Sequence, residues 1–181
     1  MVIIEPRIFK DSRGYFFESY SRREFDEKVR QIDFVQDNES CSTYGLMRGL
    51  HFQRFLYAQS KLVRCVKGSV LDVAVDIRKG SPTYGRHVAE ELTEENHRQF
   101  FILRGFAHGF AVLSDIAVFQ YKCDNYYHPE ADDGISIQDM SLDIDWQIDP
   151  AKSILSEKDL KHLLLADFDS PFDFNTGQYA K

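Results

Sequence analysis

The chain has 181 residues, 43% of them apolar and 28% charged, with 15 Phe and 9 Tyr. That length suits one unit with a sizeable core, so a single domain over 1–181 is expected, and the aromatic content leans toward sheet. A formal charge of -7, with no Lys/Arg cluster, argues against a nucleic-acid polymer as partner, because holding a phosphate backbone takes clustered basic residues. In chain order, Val2-Ile3-Ile4 stops at Glu5, too short for a signal-peptide core or a membrane span. A cytoplasmic protein with no membrane partner is expected. Ser21 and Glu24 form a capping-box pattern ahead of Phe25, Val29 and Ile32, which predicts a first helix.

The middle of the chain reads as successive strands. Residues 61–66, 98–103, 110–113 and 116–126 are rich in β-branched and aromatic residues, and Leu71, Val73, Val75 and Ile77 alternate with Asp72, Ala74 and Asp76. A period of two sends one apolar set to a single side of a sheet. Lys67-Gly68-Ser69, Lys79-Gly80-Ser81-Pro82 and Ser114-Asp115 are turn signals at the short intervals of an antiparallel sandwich or barrel. Gly68, Gly80 and Gly105 read as turn residues, since no phosphate-loop pattern surrounds them. Ser156 with Asp159, ahead of Leu160, Leu163 and Leu164, predicts a second helix. Cys41, Cys65 and Cys123 are odd in number and widely spaced, so reduced thiols are expected, two of them packed in strands.

Chemistry-bearing residues cluster on these elements. Arg48-Gly49-Leu50-His51-Phe52-Gln53 precedes Lys61-Leu62-Val63-Arg64, and Gly105-Phe106-Ala107-His108-Gly109-Phe110 follows. This layout resembles the cupins, a mainly β class built on a double-stranded β-helix, or jelly-roll, barrel with short flanking helices. Metal-binding cupins carry two His and a Glu in the first motif and a further His in the second. Gln53 stands where the second His belongs and Lys61 falls near the Glu, leaving His51 and His108. Zinc or iron normally takes three protein donors, so no metal is expected.

The ordered motifs then become specific. Asp11-Ser12-Arg13-Gly14 with Glu18, Gln36-Asp37-Asn38, the His51 and Lys61 motifs, the His108 motif, Tyr121-Lys122 with Tyr126-Tyr127, and Leu155-Ser156-Glu157-Lys158-Asp159 resemble the dTDP-4-dehydrorhamnose 3,5-epimerases. The resemblance implies cofactor-independent epimerisation of dTDP-4-keto-6-deoxyglucose at C3 and C5, by proton abstraction next to the C4 ketone and reprotonation from the opposite face. An imidazole, with a reference pKa of about 6.5, suits the base. Matching positions imply His51 as base, Asp159 as its orienting carboxylate, Tyr121 as acid, and Lys61 and His108 as partners of the enolate oxygen. They also imply that Arg13, Glu18, Gln36, Asn38, Arg48, Asp132 and Lys158 contact the nucleotide, its diphosphate or the sugar, and that Tyr127 stacks on thymine. A homodimer whose N-terminal segments exchange is implied too, so that Arg13 and Glu18 serve the neighbouring subunit's site.

Taken alone, the same residues have plainer readings. Asp159 is the third-position carboxylate of a capping box, Tyr121 an inward-facing Tyr in register with Phe119 and Cys123, and Lys61 a solvated strand end. Tyr126 and Tyr127 point to opposite faces if the strand continues through them, so at most one meets the base ring. His87, His97, His128 and His162 receive no role. Leu103 replaces the family's Pro, Asp132 stands for a Glu, and Ser136-Ile137-Gln138-Asp139-Met140 replaces an Arg-Trp-rich stretch. Epimerisation at only C3 or only C5 stays open, as do a non-catalytic sugar-nucleotide-binding barrel and a metal-dependent cupin.

Overall fold

The computed structural model describes residues 1–176. In chain order its elements are β1 (Val2–Ile4), β2 (Phe9–Asp11), β3 (Gly14–Phe16), α1 (Arg22–Lys28), β4 (Gln36–Thr43), β5 (Met47–Gln53), β6 (Lys61–Lys67), β7 (Ser69–Asp76), β8 (His87–Thr93), β9 (Gln99–Ile102), β10 (Phe106–Val112), β11 (Ile116–Cys123) and β12 (Asp132–Gly134), with five short 3-10 turns after β11. One five-stranded sheet runs β1-β9-β6-β11-β4 and a second runs β12-β5-β10-β7-β8, while β2 and β3 form a separate hairpin. All strand pairings are antiparallel. The sheets face each other across a shared apolar layer, Val63, Phe100 and Phe119 from the first meeting Ala74, Phe110 and Val112 from the second. This is the jelly roll that the sequence predicts.

The alternation in β7 is confirmed with an addition. Leu71, Val73, Val75 and Ile77 all enter one cluster on the outer face of the second sheet, where Ile135, Phe168 and Phe172 from the C-terminal third cover them. Val70 and Ala74 join the layer between the sheets. Both faces are therefore buried, and Asp72 and Asp76 go inside with 0% and 1% exposure. A buried carboxylate is tolerated only when hydrogen-bonded, and Asp76 accepts from Arg78 Nε (2.8 Å), Arg78 Nη2 (2.6 Å), Ser81 Oγ (2.6 Å) and Thr83 Oγ1 (2.6 Å). The turn after β7 is thus tied to the strand through this one side chain.

Burial works to raise the Asp76 carboxyl, but these donors outweigh it and bring the group down to about 2. A folded-state pKa below the unfolded one means that the unfolded chain binds more protons in between, so the contribution is complete above the ordinary Asp value and disappears as pH falls toward 2. Asp76→Asn is expected to cost about 2 kcal/mol at neutral pH and less in acid. Urea unfolding at pH 7 and at pH 3 checks both arms.

The two expected helices differ in outcome. α1 starts at Ser21, but the Ser21 side chain makes no cap hydrogen bond, so the capping-box pattern marks the place without supplying the bond. Its Phe25 packs edge-on against Phe34 at 5.4 Å and Phe101 at 5.0 Å on the outer face of the first sheet. Burying such a ring is worth about 1.5–3 kcal/mol, enough to hold a helix this short. The second helix does not form. Only a 3-10 turn, Asp159–Lys161, follows Ser156, because Leu163 bridges to Ile135 and its carbonyl accepts from Ser136 N at 2.8 Å. That pairing draws the chain out straight and leaves Leu160, Leu163 and Leu164 exposed. Strand β11 also stops at Cys123, short of residue 126, so the alternation argument for Tyr126 and Tyr127 lapses, and both rings are exposed.

Candidate active site

The second sheet brings the two motif histidines together. A Cβ on Gly49 would lie 2.5 Å from Gly109 Cα, and one on Gly109 would lie 2.6 Å from the Arg48 carbonyl oxygen. Only glycine fits this approach of β5 to β10, whose register shifts between His108 and Phe110. His51 and His108 become direct cross-strand partners. Lys61 and Tyr121 come from β6 and β11 of the opposite sheet. A cleft of about 460 Å³ lies between, lined by His51, His108, Arg48, Lys61, Tyr121, Phe119, Lys158 and Asp159.

Asp159 is brought in by the turn that replaced the second helix. Its backbone N–H donates to Ser156 Oγ at 3.1 Å, the serine half of the capping box. Its side chain turns inward, 3% exposed, with Oδ1 2.5 Å from His51 Nε2. The cap and the dyad readings are therefore both realised, one by the backbone and one by the carboxylate. Burial works to raise this carboxyl, but the hydrogen bond from His51 and the pull of that ring hold it below the usual carboxylate range. An anion at this place accepts the Nε2 proton of His51, which leaves the Nδ1 lone pair free, and it would stabilise an imidazolium.

His108 is anchored differently. Its Nε2 lies 3.0 and 2.9 Å from the two carboxylate oxygens of Asp72. Burial lowers the pKa of His108 and raises that of Asp72, each opposed by attraction to the other. Sequence reading passed over Asp72 as a functional partner; the signal was an Asp inside a strand otherwise apolar on both faces. Across the cleft, burial and then Cys123 push the Tyr121 phenol above its ordinary value, so it holds its proton at neutral pH. Lys61 Nζ stands 5.6 Å from the centre of that ring, a cation–π contact that places the amine beside the phenol.

His51 and Tyr121 thus stand on opposite walls of this cleft, which the cationic side chains of Arg48 and Lys158 also line. The family model for dTDP-4-dehydrorhamnose 3,5-epimerase matches residues 1–167. The chain belongs to this family. The dTDP-4-dehydrorhamnose 3,5-epimerase of Escherichia coli (strain K12) is 53% identical over 162 residues, covering 88% of this chain and 86% of its own. Among solved structures, the dTDP-6-deoxy-D-glucose-3,5-epimerase of Legionella pneumophila Philadelphia 1, in complex with dTDP-4-keto-L-rhamnose, has a TM-score of 0.90 at 48% identity, over 94% of this chain and 92% of that one. The dTDP-4-dehydrorhamnose 3,5-epimerase of Elizabethkingia anophelis NUHP1 has a TM-score of 0.86 at 51% identity, over 91% of each chain.

The other residues expected of an epimerase of this family fall into two places. Gln36, Asn38, Tyr127, Asp132 and Lys158 make a rim. Gln36 Nε2 donates to Asn38 Oδ1 at 3.0 Å, its Oε1 accepts from Tyr127 N at 3.2 Å, and Tyr127 Oη donates to Asp132 Oδ2 at 3.0 Å. Lys158 Nζ is also paired with Asp132. Arg13 and Glu18 are elsewhere. Arg13 is exposed in the turn of the β2–β3 hairpin and bonded to Asp11, with Nη2 2.6 Å from Oδ2, and Glu18 lines a separate N-terminal groove with Phe9 and Phe16. Neither lines the cleft of its own chain.

Two further observations bear on the site. Phe119, Met47 and Leu155 wall the cleft, and as plain apolar residues they carried no signal of it. His162, given no role by the sequence, stands edge-on to His51 with ring centres 5.6 Å apart. Among the described residues no helix is long and apolar enough to cross a membrane.

Proposed function

We propose that this chain epimerises dTDP-4-keto-6-deoxyglucose at C3 and C5 to dTDP-4-keto-L-rhamnose, with His51 as base and Tyr121 as acid. The observation that carries the assignment is that His51, paired with Asp159, and Tyr121 stand on opposite sheets with one cleft between them. Inversion requires a proton to leave one face of the ring and another to arrive on the other. His51 Nδ1 takes the proton from the carbon beside the ketone, the electron pair moves toward C4, and the negative charge collects on the carbonyl oxygen. Lys61 donates to that oxygen, and so does the Nδ1–H of His108, the second proton of the His108–Asp72 pair lying between Nε2 and the carboxylate; a preorganised donor there is typically worth about 3–4 kcal/mol. Tyr121 then gives its hydroxyl proton to the far face as the carbonyl re-forms. Loss of a proton from His51 and regain of one by Tyr121 restore both groups for the second carbon.

The rim supports the binding assignment. Lys158 and Arg48 would take the diphosphate, a guanidinium being well matched to phosphate oxygens, and Tyr127 would lie against the base with Gln36 and Asn38 beside it. Arg13 and Glu18 would complete the partner's site in a homodimer, a reading supported by the exposure of Phe9, Tyr15 and Phe16 on the same hairpin at 50%, 59% and 67%. In heavy water with the keto sugar, deuterium is expected at both C3 and C5, with the rate unchanged by chelator. Incorporation at one carbon would mean a mono-epimerase, none would mean a binding protein, and chelator sensitivity would mean a metal enzyme.

A further inference from the structure

His162 is unused by this mechanism, yet its surroundings are unusual. Its Nε2 is out of reach of solvent and has no hydrogen-bond partner among the described residues. A buried polar atom left in that state normally costs free energy, so it calls for an explanation. The ring is pressed against Gly134, where a Cβ would come within 2.8 Å of Nε2, and Ile135, the next residue, bridges to Leu163. The fold therefore fixes this imidazole in place beside the dyad. His51, Asp159 and His162 each offer a donor atom, and the three atoms lie within 4.8 Å of one another.

We infer that His51, Asp159 and His162 form an inhibitory site for a zinc-like divalent transition metal ion. Two imidazoles and a carboxylate are a donor set that holds such ions with the fourth position open to water. Donors on a tetrahedral ion with bonds of about 2.0–2.1 Å sit about 3.3 Å apart, so the 2.5 Å contact of His51 Nε2 with Asp159 must open by under about 1 Å as the ion enters, while the His162 donor closes in. The chemistry accounts for inhibition. An ion on His51 Nε2 takes the place of the hydrogen bonded to Asp159, and the neutral ring keeps its one proton by carrying it on Nδ1. That proton occupies the lone pair which accepts the proton of the substrate. The ion forms its bonds without removing a proton from the protein, and the base is lost.

The inhibitory part rests on the assignment of His51 as base, and the experiment separates the two. Zinc is titrated into the full-length protein without sugar nucleotide by calorimetry, for wild type and for His162→Gln, and epimerase activity is followed in parallel. One ion per chain is expected on the wild type, weakened more than about 100-fold in H162Q, beyond the 10- to 100-fold typical of losing an outer-sphere partner. Zinc should abolish wild-type activity, chelator should restore it, and H162Q should keep its basal activity, which also reports that the variant is folded. Equal binding by both proteins, or none by the wild type, overturns the site. Should H162Q fail to fold, cobalt bound by the wild type must show the intense visible absorption of a four-coordinate ion, and an octahedral spectrum overturns the site. Zinc that binds through His162 without slowing epimerisation leaves the site standing and removes His51 as base.

Discussion

His51→Asn lowers kcat/KM on the keto sugar by about 10² to 10⁴-fold, about 3–5.5 kcal/mol of transition-state stabilisation, and deuterium exchange disappears at C3 and C5 together. Both losses are expected because, among the described residues, no second base lines the cleft in an equivalent position. His108 has its Nε2 held by Asp72 and its basicity reduced by burial, so with the proton on its other nitrogen it serves as a donor to the carbonyl oxygen rather than as a base. Lys61 and Tyr121 lie on the opposite sheet, so proton removal there would start from the wrong face. Asparagine can still donate a hydrogen bond to Asp159, which keeps the buried carboxylate partnered and the thermal midpoint near that of wild type. Activity followed by proton NMR in heavy water gives rate and exchange in one measurement. Exchange at the wild-type rate in this variant would remove His51 from the mechanism.

The sequence carried more of the barrel than of the mouth of the cleft. Strand periodicity in β7 located the apolar outer face because alternation is a backbone property, independent of what packs on it. It could not tell that both faces were buried, the outer one by Phe168 and Phe172 from far along the chain and the alternate one by the first sheet. The pattern of Ser156 and Asp159 marked a real local event, yet the helix lost to the Ile135–Leu163 bridge, a contact that no local window contains. His51, His108, Lys61 and Tyr121 were legible through their motifs, which assign roles by order along the chain. Asp72 and His162 were not, because each matters through a neighbour: Asp72 by anchoring His108, His162 by standing beside His51. Glycine told a similar story. Gly49 and Gly109 are needed by the close approach of two strands, whereas the turn signals of the sequence point to Gly68, Gly80 and Gly105, which do sit in turns at positive φ.

Tyr121→Phe separates the two halves of the reaction. Phenylalanine keeps the ring beside Phe119 and Lys61 and removes only the hydroxyl, so the barrel should fold as before. His51 can still lift a proton and return one to the same face, and deuterium should therefore continue to enter the substrate. Net inversion should fall by about 10²-fold or more, the usual worth of a positioned acid, because the other proton donor on that wall, Lys61, is engaged with the carbonyl oxygen. The pH profile gives a second reading. Burial holds the phenol above its ordinary pKa, so an acid that must be protonated remains competent through neutral pH and fails only as pH rises past the ordinary tyrosine value, about 10. In Tyr121→Phe that alkaline fall is absent from the residual exchange, since exchange needs the base alone. A variant that inverts as fast as wild type would assign the acid elsewhere. One that folds but loses exchange along with inversion would make Tyr121 the group that takes the first proton, and the two walls of the cleft would then trade roles.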